Sequence, residues 1–320
     1  MGASPQFVDL NGDGTKDALF GSFSGVPQWS ARGAGGFEEP SELVGKDGNA
    51  VLISEFWNFE TEEWDETKRT GTEGHLSSVA AVDWDNDGDQ DFLLGGYRSG
   101  QLFLSINVGS STEPNYAETN QVIQAGGEAV AFEFGMGTPR VADWNGDGLF
   151  DILIGTIYGG VYLLENVGSE GSPQFDGIEI LVAPLPGEAG SKQVKMVEAV
   201  DGQPIGPGSS YHIEVVDYDR DGDLDLLMGA RSKWLTGPLR EPTAEELALA
   251  ETLAAESEAA YAELSKHRRS LEGEAAQEEY ERSEEYRRLI GIYRDKRAES
   301  RAITADPEET GDFLWLFRRK

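Results

Sequence analysis

A nine-residue pattern, Asp-x-Asp/Asn-x-Asp-Gly-x-x-Asp, occurs four times and limits what this chain can fold into more than any other feature. The copies are Asp9-Leu-Asn11-Gly-Asp13-Gly-Thr15-Lys-Asp17, Asp83-Trp-Asp85-Asn-Asp87-Gly-Asp89-Gln-Asp91, Asp143-Trp-Asn145-Gly-Asp147-Gly-Leu149-Phe-Asp151 and Asp217-Tyr-Asp219-Arg-Asp221-Gly-Asp223-Leu-Asp225. They start 74, 60 and 74 residues apart. One unit recurring at such intervals marks a repeat architecture, in which each unit covers the apolar face of its neighbour.

The similarity extends past the loops. Each is preceded by a short apolar stretch, Gln6-Phe-Val, Val79-Ala-Ala-Val, Pro139-Arg-Val-Ala or Ile213-Glu-Val-Val. Each is followed by an apolar run ending at Gly21, Gly95, Gly155 or Gly229. In the second and third copies an alternating segment follows, Gly100 to Asn107 and Gly160 to Asn166, then Val-Gly-Ser and a further segment near Pro114 or Pro173. The unit is therefore strand, Asp loop, strand, strand, strand, which is the sequence pattern of one β-propeller blade. The fold class expected is mainly β: a propeller of four blades, or five with one degenerate. The longer intervals hold Lys46-Asp-Gly-Asn49 and Val200-Asp-Gly-Gln203, both turn signals expected to make small hairpins. The stretch Glu55 to Gly74, with Trp57 and Trp64, carries no readable pattern.

The spacing within each loop points to calcium. Ca²⁺ takes six to eight oxygen ligands in flexible geometry. Side chains at positions 1, 3 and 5 of a tight loop converge on one point, and glycine at position 6 permits the turn. A backbone carbonyl at position 7 (Thr15, Asp89, Leu149, Asp223) and a carboxylate at position 9 complete the shell. An EF-hand needs a bidentate Glu at position 12, where this chain has Phe20, Leu94, Ile154 and Met228. Magnesium fits less well because it keeps several waters. Zinc has no cysteine and only three scattered histidines to bind. The plainer alternative is that Asp-Gly loops are ordinary turns, and four copies with the same apolar flanks argue against it.

With their flanking strands the loops resemble the FG-GAP/VCBS repeat, the calcium-binding blade of integrin α-subunit propellers and of many secreted bacterial proteins. The resemblance covers residues 4 to about 232 and resumes at the C-terminus. It implies side-chain ligands Asp9, Asn11, Asp13 and Asp17, with their equivalents Asp83, Asp85, Asp87, Asp91, Asp143, Asn145, Asp147, Asp151, Asp217, Asp219, Asp221 and Asp225, and about four Ca²⁺. The loop would join the first two strands of a blade, and the protein would be a secreted or surface interaction module. Only four copies are visible, whereas integrin-type propellers have seven blades.

After Trp234 the composition changes. From Thr243 to Asp306 there is no proline, and Thr243 with Glu246 makes a capping box. Apolar residues at Leu247, Ala250, Leu253, Ala254, Tyr261, Leu264 and Leu271, then Ala276, Tyr280, Leu289, Ile290 and Tyr293, follow a helical period. Two long antiparallel helices with a break near Gly273 are expected over 240–305. The ending Gly311 to Phe317 matches the third-strand segments of earlier copies, so residues 306–320 should complete the last blade, begun within 1–235. The helices are then an insertion, acting as spacer, lid or partner-binding hairpin.

Net charge is −33, which disfavours nucleic acid and anionic lipid as partners. The four loops hold sixteen aspartates, and four Ca²⁺ would offset only 8 of those 33 charges, so most acidity belongs to solvated surface. There is no cysteine, which excludes disulfides and thiolate chemistry. No apolar run is long enough to span a membrane as a helix. Met1-Gly-Ala-Ser leads almost directly into the first loop, as in a mature form whose leader has been removed. His75 and His212 stand eight and five residues ahead of a loop, at unequal offsets, and His267 lies in the helical segment, so structural roles are expected. No catalytic motif stands out. Partners expected are a protein or cell-surface ligand, with a glycan-binding or carbohydrate-active propeller as the alternative, carried by Trp29, Trp57, Trp64 and Trp234. Calcium sites of modest affinity fill near millimolar calcium, which places the chain outside the cell, on its surface or in the periplasm.

Overall fold

Strands form where apolar residues alternate or run continuously beside each Asp loop. The computed structural model describes residues 5–22, 26–44, 48, 51, 56–58, 63–65, 73–74, 78–96, 100–117, 120–132, 137–185, 196–237, 241–271 and 274–319. Three antiparallel sheets have four strands each. The first runs Gln6–Val8, Asp17–Phe20, Gln28–Ser30, Ser41–Glu42. The second runs Ser78–Val82, Asp91–Gly95, Leu102–Ser105, Gln121–Val122, and the third Gly137–Ala142, Asp151–Thr156, Val161–Leu164, Glu179–Val182. Among the described residues the fourth sheet has three strands, Ser209–Val216, Asp225–Leu235 and Glu308–Phe317. In each of these four sheets the Asp loop joins the first strand to the second.

The chain divides into two compact units. One holds Met1–Glu198, Pro204–Lys233 and Thr310–Lys320, the other Ala199–Gln203 and Trp234–Glu309. Within the first unit the sheets pack serially, in chain order. Leu19 and Leu43 of the first meet Val79, Phe92, Leu94 and Phe103 of the second. From the opposite face of the second sheet, Ala80, Leu93, Leu102 and Leu104 meet Ile152, Ile154 and Leu164 of the third. The other face of the third, with Leu153, Val161 and Leu163, meets Tyr211, Ile213, Leu226 and Met228 of the fourth. The second strands read Phe-Leu-Leu and Ile-Leu-Ile without polar interruption because both their faces are covered. Each fully buried side chain contributes about 1.5–3 kcal/mol of hydrophobic stabilisation.

The glycine closing each second strand marks where the next sheet approaches. A Cβ at Gly95 would stand 2.1 Å from the Gly137 carbonyl oxygen, and one at Gly155 would stand 2.7 Å from that of Tyr211. Both carbonyls belong to the first strand of the following sheet. First-strand hydroxyls reinforce this contact: Ser78 donates to the Gly137 carbonyl, and Thr138 donates to the Tyr211 carbonyl at 3.1 Å. At Gly229 the nearest atom is the His212 carbonyl oxygen of its own sheet, 3.9 Å away. Buried Arg140 also pairs with Glu214 at 3.0 Å, joining the first strands of the third and fourth sheets.

The second unit is helical. Helix α1 (Ala244–Arg269) starts at the capping box of Thr243 and Glu246. It buries Ala250, Leu253, Ser257, Ala260 and Leu264. Helices α2 (Glu274–Glu281) and α3 (Glu284–Thr304) follow. The Ser257 hydroxyl donates to the Tyr293 carbonyl at 3.0 Å, and the Ser300 hydroxyl to the Ala250 carbonyl at 2.8 Å, so α1 and α3 run antiparallel. Small residues at this seam let the backbones come close enough for those bonds. Two expectations change. Leu247 and Tyr261 are 44% and 55% exposed, so the buried stripe excludes them. The second helix is interrupted again at Ser283, whose side chain caps α3 by accepting the Tyr286 N–H at 3.1 Å. Gly273 lies outside the described residues.

Of the two expected hairpins, Ala199–Val200 pairs with Gln203–Pro204, with Asp201 and Gly202 at φ 52° and 74°. The other, apart from Gly48, lies outside the described residues. Two further small hairpins, Arg32–Gly33 with Gly36–Phe37 and Gln124–Ala125 with Glu128–Ala129, were not anticipated.

The sheet contacts predict a graded response to one substitution. Gly95→Ala and Gly155→Ala should each cost about 1–3 kcal/mol through overpacking, while Gly229→Ala should stay within about 0.5 kcal/mol. Urea denaturation of the three variants measures this.

Candidate metal centre

All four loops share one hydrogen-bond scheme. The position 1 carboxylate accepts the position 5 N–H through Oδ1, at 3.2 Å for Asp13 to Asp9, 3.0 Å for Asp87 to Asp83, 3.0 Å for Asp147 to Asp143 and 3.1 Å for Asp221 to Asp217. Its Oδ2 accepts the position 6 glycine N–H, from Gly14, Gly88, Gly148 and Gly222 at 2.8, 3.1, 3.0 and 3.2 Å. The position 5 carboxylate accepts the position 7 N–H, from Thr15, Asp89, Leu149 and Asp223. These bonds turn the carboxylates inward and need left-handed backbone twice. Position 6 is glycine at φ between 84° and 100°, and position 4 (Gly12, Asn86, Gly146, Arg220) lies at φ between 59° and 79°. Only glycine adopts the first of these freely.

Position 9 behaves differently. Asp17, Asp91, Asp151 and Asp225 are all at most 1% exposed. Each accepts the position 2 N–H on Oδ2, from Leu10, Trp84, Trp144 and Tyr218 at 3.1, 2.8, 2.9 and 3.1 Å. Each accepts on Oδ1 the N–H just past the third strand, from Arg32, Asn107, Asn166 and Arg319 at 2.9, 2.7, 2.8 and 3.1 Å. The ninth residue, read from the sequence as a ligand, therefore also ties its loop to the far side of the sheet. Burial pushes Asp91 up to about 6 against the pull of its Asn107 and Trp84 donors. Asp151 is raised for the same reason.

Position 3 separates the loops into two kinds. In the first and third it is an asparagine, whose amide donates to the position 5 carboxylate, Asn11 to Asp13 at 3.2 Å and Asn145 to Asp147 at 3.1 Å. In the second and fourth it is an aspartate. There oxygens of Asp83, Asp85 and Asp87, and of Asp217, Asp219 and Asp225, lie within 4.8 Å of one another and could hold a metal ion. Facing carboxylates without a donor between them repel, and a divalent cation removes that cost.

Asp89 shows a feature the sequence did not reveal. Position 7 was expected to act only through its carbonyl, yet the Asp89 side chain is 3% exposed and its Oδ1 has no hydrogen-bond partner. Burial, then the charges of Asp87, Asp91 and Asp85, pushes it up to about 7. Asp223, its counterpart, is exposed. An orphaned carboxylate oxygen beside three other carboxylates is a donor set suited to a hard divalent cation.

Two of the three aromatics at position 2, Trp84 and Trp144, are packing groups. Trp84 lies 5.5 Å from Phe150 and 6.1 Å from Phe175, between the second and third sheets. Trp144 packs on the third core cluster beneath the Arg319 guanidinium, 5.2 Å from its ring. Tyr218, at the end of the series, is 57% exposed. Trp29 packs on the first cluster, and Trp234 donates to the Gly202 carbonyl at 2.9 Å. No described tryptophan is exposed, and the side chains of Trp57 and Trp64 lie outside the described residues. His267 stacks on Tyr280 at 4.3 Å. His212 lines a groove of about 370 Å³ with Ser210, Arg231, Asp312 and Phe313. It is pulled down by burial and then by Arg140. His75 lies outside the described residues.

Residues 83–154 match the family model of the FG-GAP-like repeat. The match runs from the first residue of the second loop to Ile154 in the strand after the third.

Asp89 gives the metal-free protein a distinct pH response. The folded state keeps this group protonated up to about 7, whereas the unfolded chain ionises it near its ordinary value of 3.8. Stability is therefore full below about 4 and falls as pH rises towards 7. Melting scans in EDTA between pH 4.5 and 7.5 should show the fall, and Asp89→Asn should reduce it to the part that Asp91 and Asp151, also raised, contribute.

Proposed function

We infer that the chain, whose residues 83–154 match the FG-GAP-like repeat, is a calcium-stabilised β-propeller module that acts by binding another protein or a surface ligand outside the cytoplasm. The observation that carries this is the inward-turned carboxylate set of the four loops, closest in the second and fourth. The serial packing of the four sheets supports reading each as a blade. Ca²⁺ would be held by the side chains at positions 1, 3 and 5, by the position 7 carbonyl (Thr15, Leu149, Asp223) or, in the second loop, the Asp89 carboxylate, and by the position 9 oxygens. Bound calcium supplies charge neutralisation and rigidity at the corner between the first two strands of each blade.

Binding by such a module fits the rest of the molecule. FG-GAP repeats serve as interaction modules, and fold alone assigns no chemistry. No described helix is long and apolar enough to cross a membrane. Calcium near millimolar, as outside cells, is what fills sites of modest affinity. Of the tryptophans that carry the glycan reading, Trp29 and Trp234 are covered, and an array probed with and without Ca²⁺ should retain no saccharide class.

Calorimetry tests the calcium reading. Calcium at a hundredfold excess over the dissociation constant should add about 2.7 kcal/mol per independent site, seen as a higher melting temperature that EDTA reverses. An unchanged melting temperature together with no binding heat would overturn it.

A further inference from the structure

The residue just before each position 9 donor occupies one register position, at the end of the third strand. It is Ala31, Ile106, Glu165 and Arg318 in the four sheets. In the two sheets where this residue is charged, its side chain reaches the position 3 ligand. Glu165 Oε1 accepts from Asn145 Nδ2 at 3.1 Å. Arg318 Nη1 stands 3.3 Å from Asp219 Oδ2. The two contacts have opposite electrostatic sense. Glu165 brings a fourth carboxylate to a loop whose ligand positions carry only three, Asp143, Asp147 and Asp151. Arg318 brings a fixed cation to a loop that already carries five aspartates.

We propose that this strand-end residue sets the calcium affinity of its loop, with Arg318 acting as a built-in competitor for Asp219 and Glu165 as a booster of the third loop. The proposal rests on the calcium reading above and names its regulation. A cation bound among Asp217, Asp219 and Asp225 must displace the guanidinium or share Asp219 with it, and calcium affinity in such loops follows the charge around the ion. The third loop gains from Glu165 what its neutral Asn145 lacks. The second loop, beside Ile106, keeps its five carboxylates uncompensated and fills first; the first, with three carboxylates beside Ala31, fills last.

The position 6 glycine N–H of each loop bonds the position 1 carboxylate, so its amide resonance reports on the ion at that loop alone. A Ca²⁺ titration of the ¹⁵N-labelled full chain, following Gly14, Gly88, Gly148 and Gly222, gives four separate midpoints. Arg318→Gln should move the Gly222 midpoint to about tenfold lower calcium and leave the other three in place, while Arg318→Lys keeps the original value. Glu165→Gln should move the Gly148 midpoint about tenfold higher. If the glycines respond to calcium but their midpoints are unchanged in Arg318→Gln and Glu165→Gln, the tuning role is wrong and the calcium reading stands. If no glycine responds in the unaltered protein, the calcium reading itself fails. Arg318 is 57% exposed, so its replacement leaves the core intact.

Discussion

A carboxylate at the ninth position of each loop, removed from water, accepts one N–H from the start of its own loop and another from beyond the third strand. Both oxygens are engaged, and charge-assisted bonds of this kind are about twice as strong as neutral ones. The arrangement joins three elements: the loop, the second strand that begins at the aspartate, and the end of the third strand. In the first three sheets the second donor lies 15 or 16 residues along the chain. In the fourth it is Arg319, 94 residues away, with the helical segment between. The same geometry across so different a chain distance identifies the final strand as the equivalent of the earlier third strands. It also explains how the helical residues can interrupt the unit without altering the loop.

The rest of each loop is electrostatically unfinished. Backbone N–H groups engage both oxygens of the position 1 carboxylate and one of the position 5 carboxylate, and turn both groups inward beside position 3. With asparagine there, an amide donor relieves the crowding. With aspartate, in the second and fourth loops, nothing on the loop itself does so. The two extreme cases show the consequence: Asp89 is held protonated well above its ordinary range, and Asp219 draws in Arg318. A cation bound there would take the place of the proton or the guanidinium.

The loops, their flanking strands and the helical segment were legible from the sequence because each rests on local pattern. The alternation of Leu102 to Ser105, the unbroken run of Asp91 to Gly95 and the capping box at Thr243 all report directly on backbone state. The burial of Asp91 was not legible, since the pattern Asp-x-Asp-x-Asp gives every aspartate the same status and only the approach of Asn107 distinguishes the ninth. Nor was the role of Gly95, which depends on a carbonyl of the next sheet. The inward turn of Asp89 likewise depends on neighbours distant in sequence, whereas the break at Ser283 rests on a local cap to the Tyr286 N–H.

The account assigns two kinds of aspartate to each loop: a buried staple at position 9 that acts with or without metal, and exposed ones whose contribution would grow when a metal is bound. Denaturation of Asp151→Asn and Asp147→Asn, each in EDTA and in excess calcium, separates them most directly. The account predicts that Asp151→Asn, at a carboxylate removed from water, loses about 1–3 kcal/mol in EDTA, because one buried backbone donor then faces an amide donor, while Asp147→Asn, at an exposed site where water can take the displaced donor, loses less than that in EDTA and more once calcium is present. Equal stability of both variants and the unaltered protein in EDTA would contradict it.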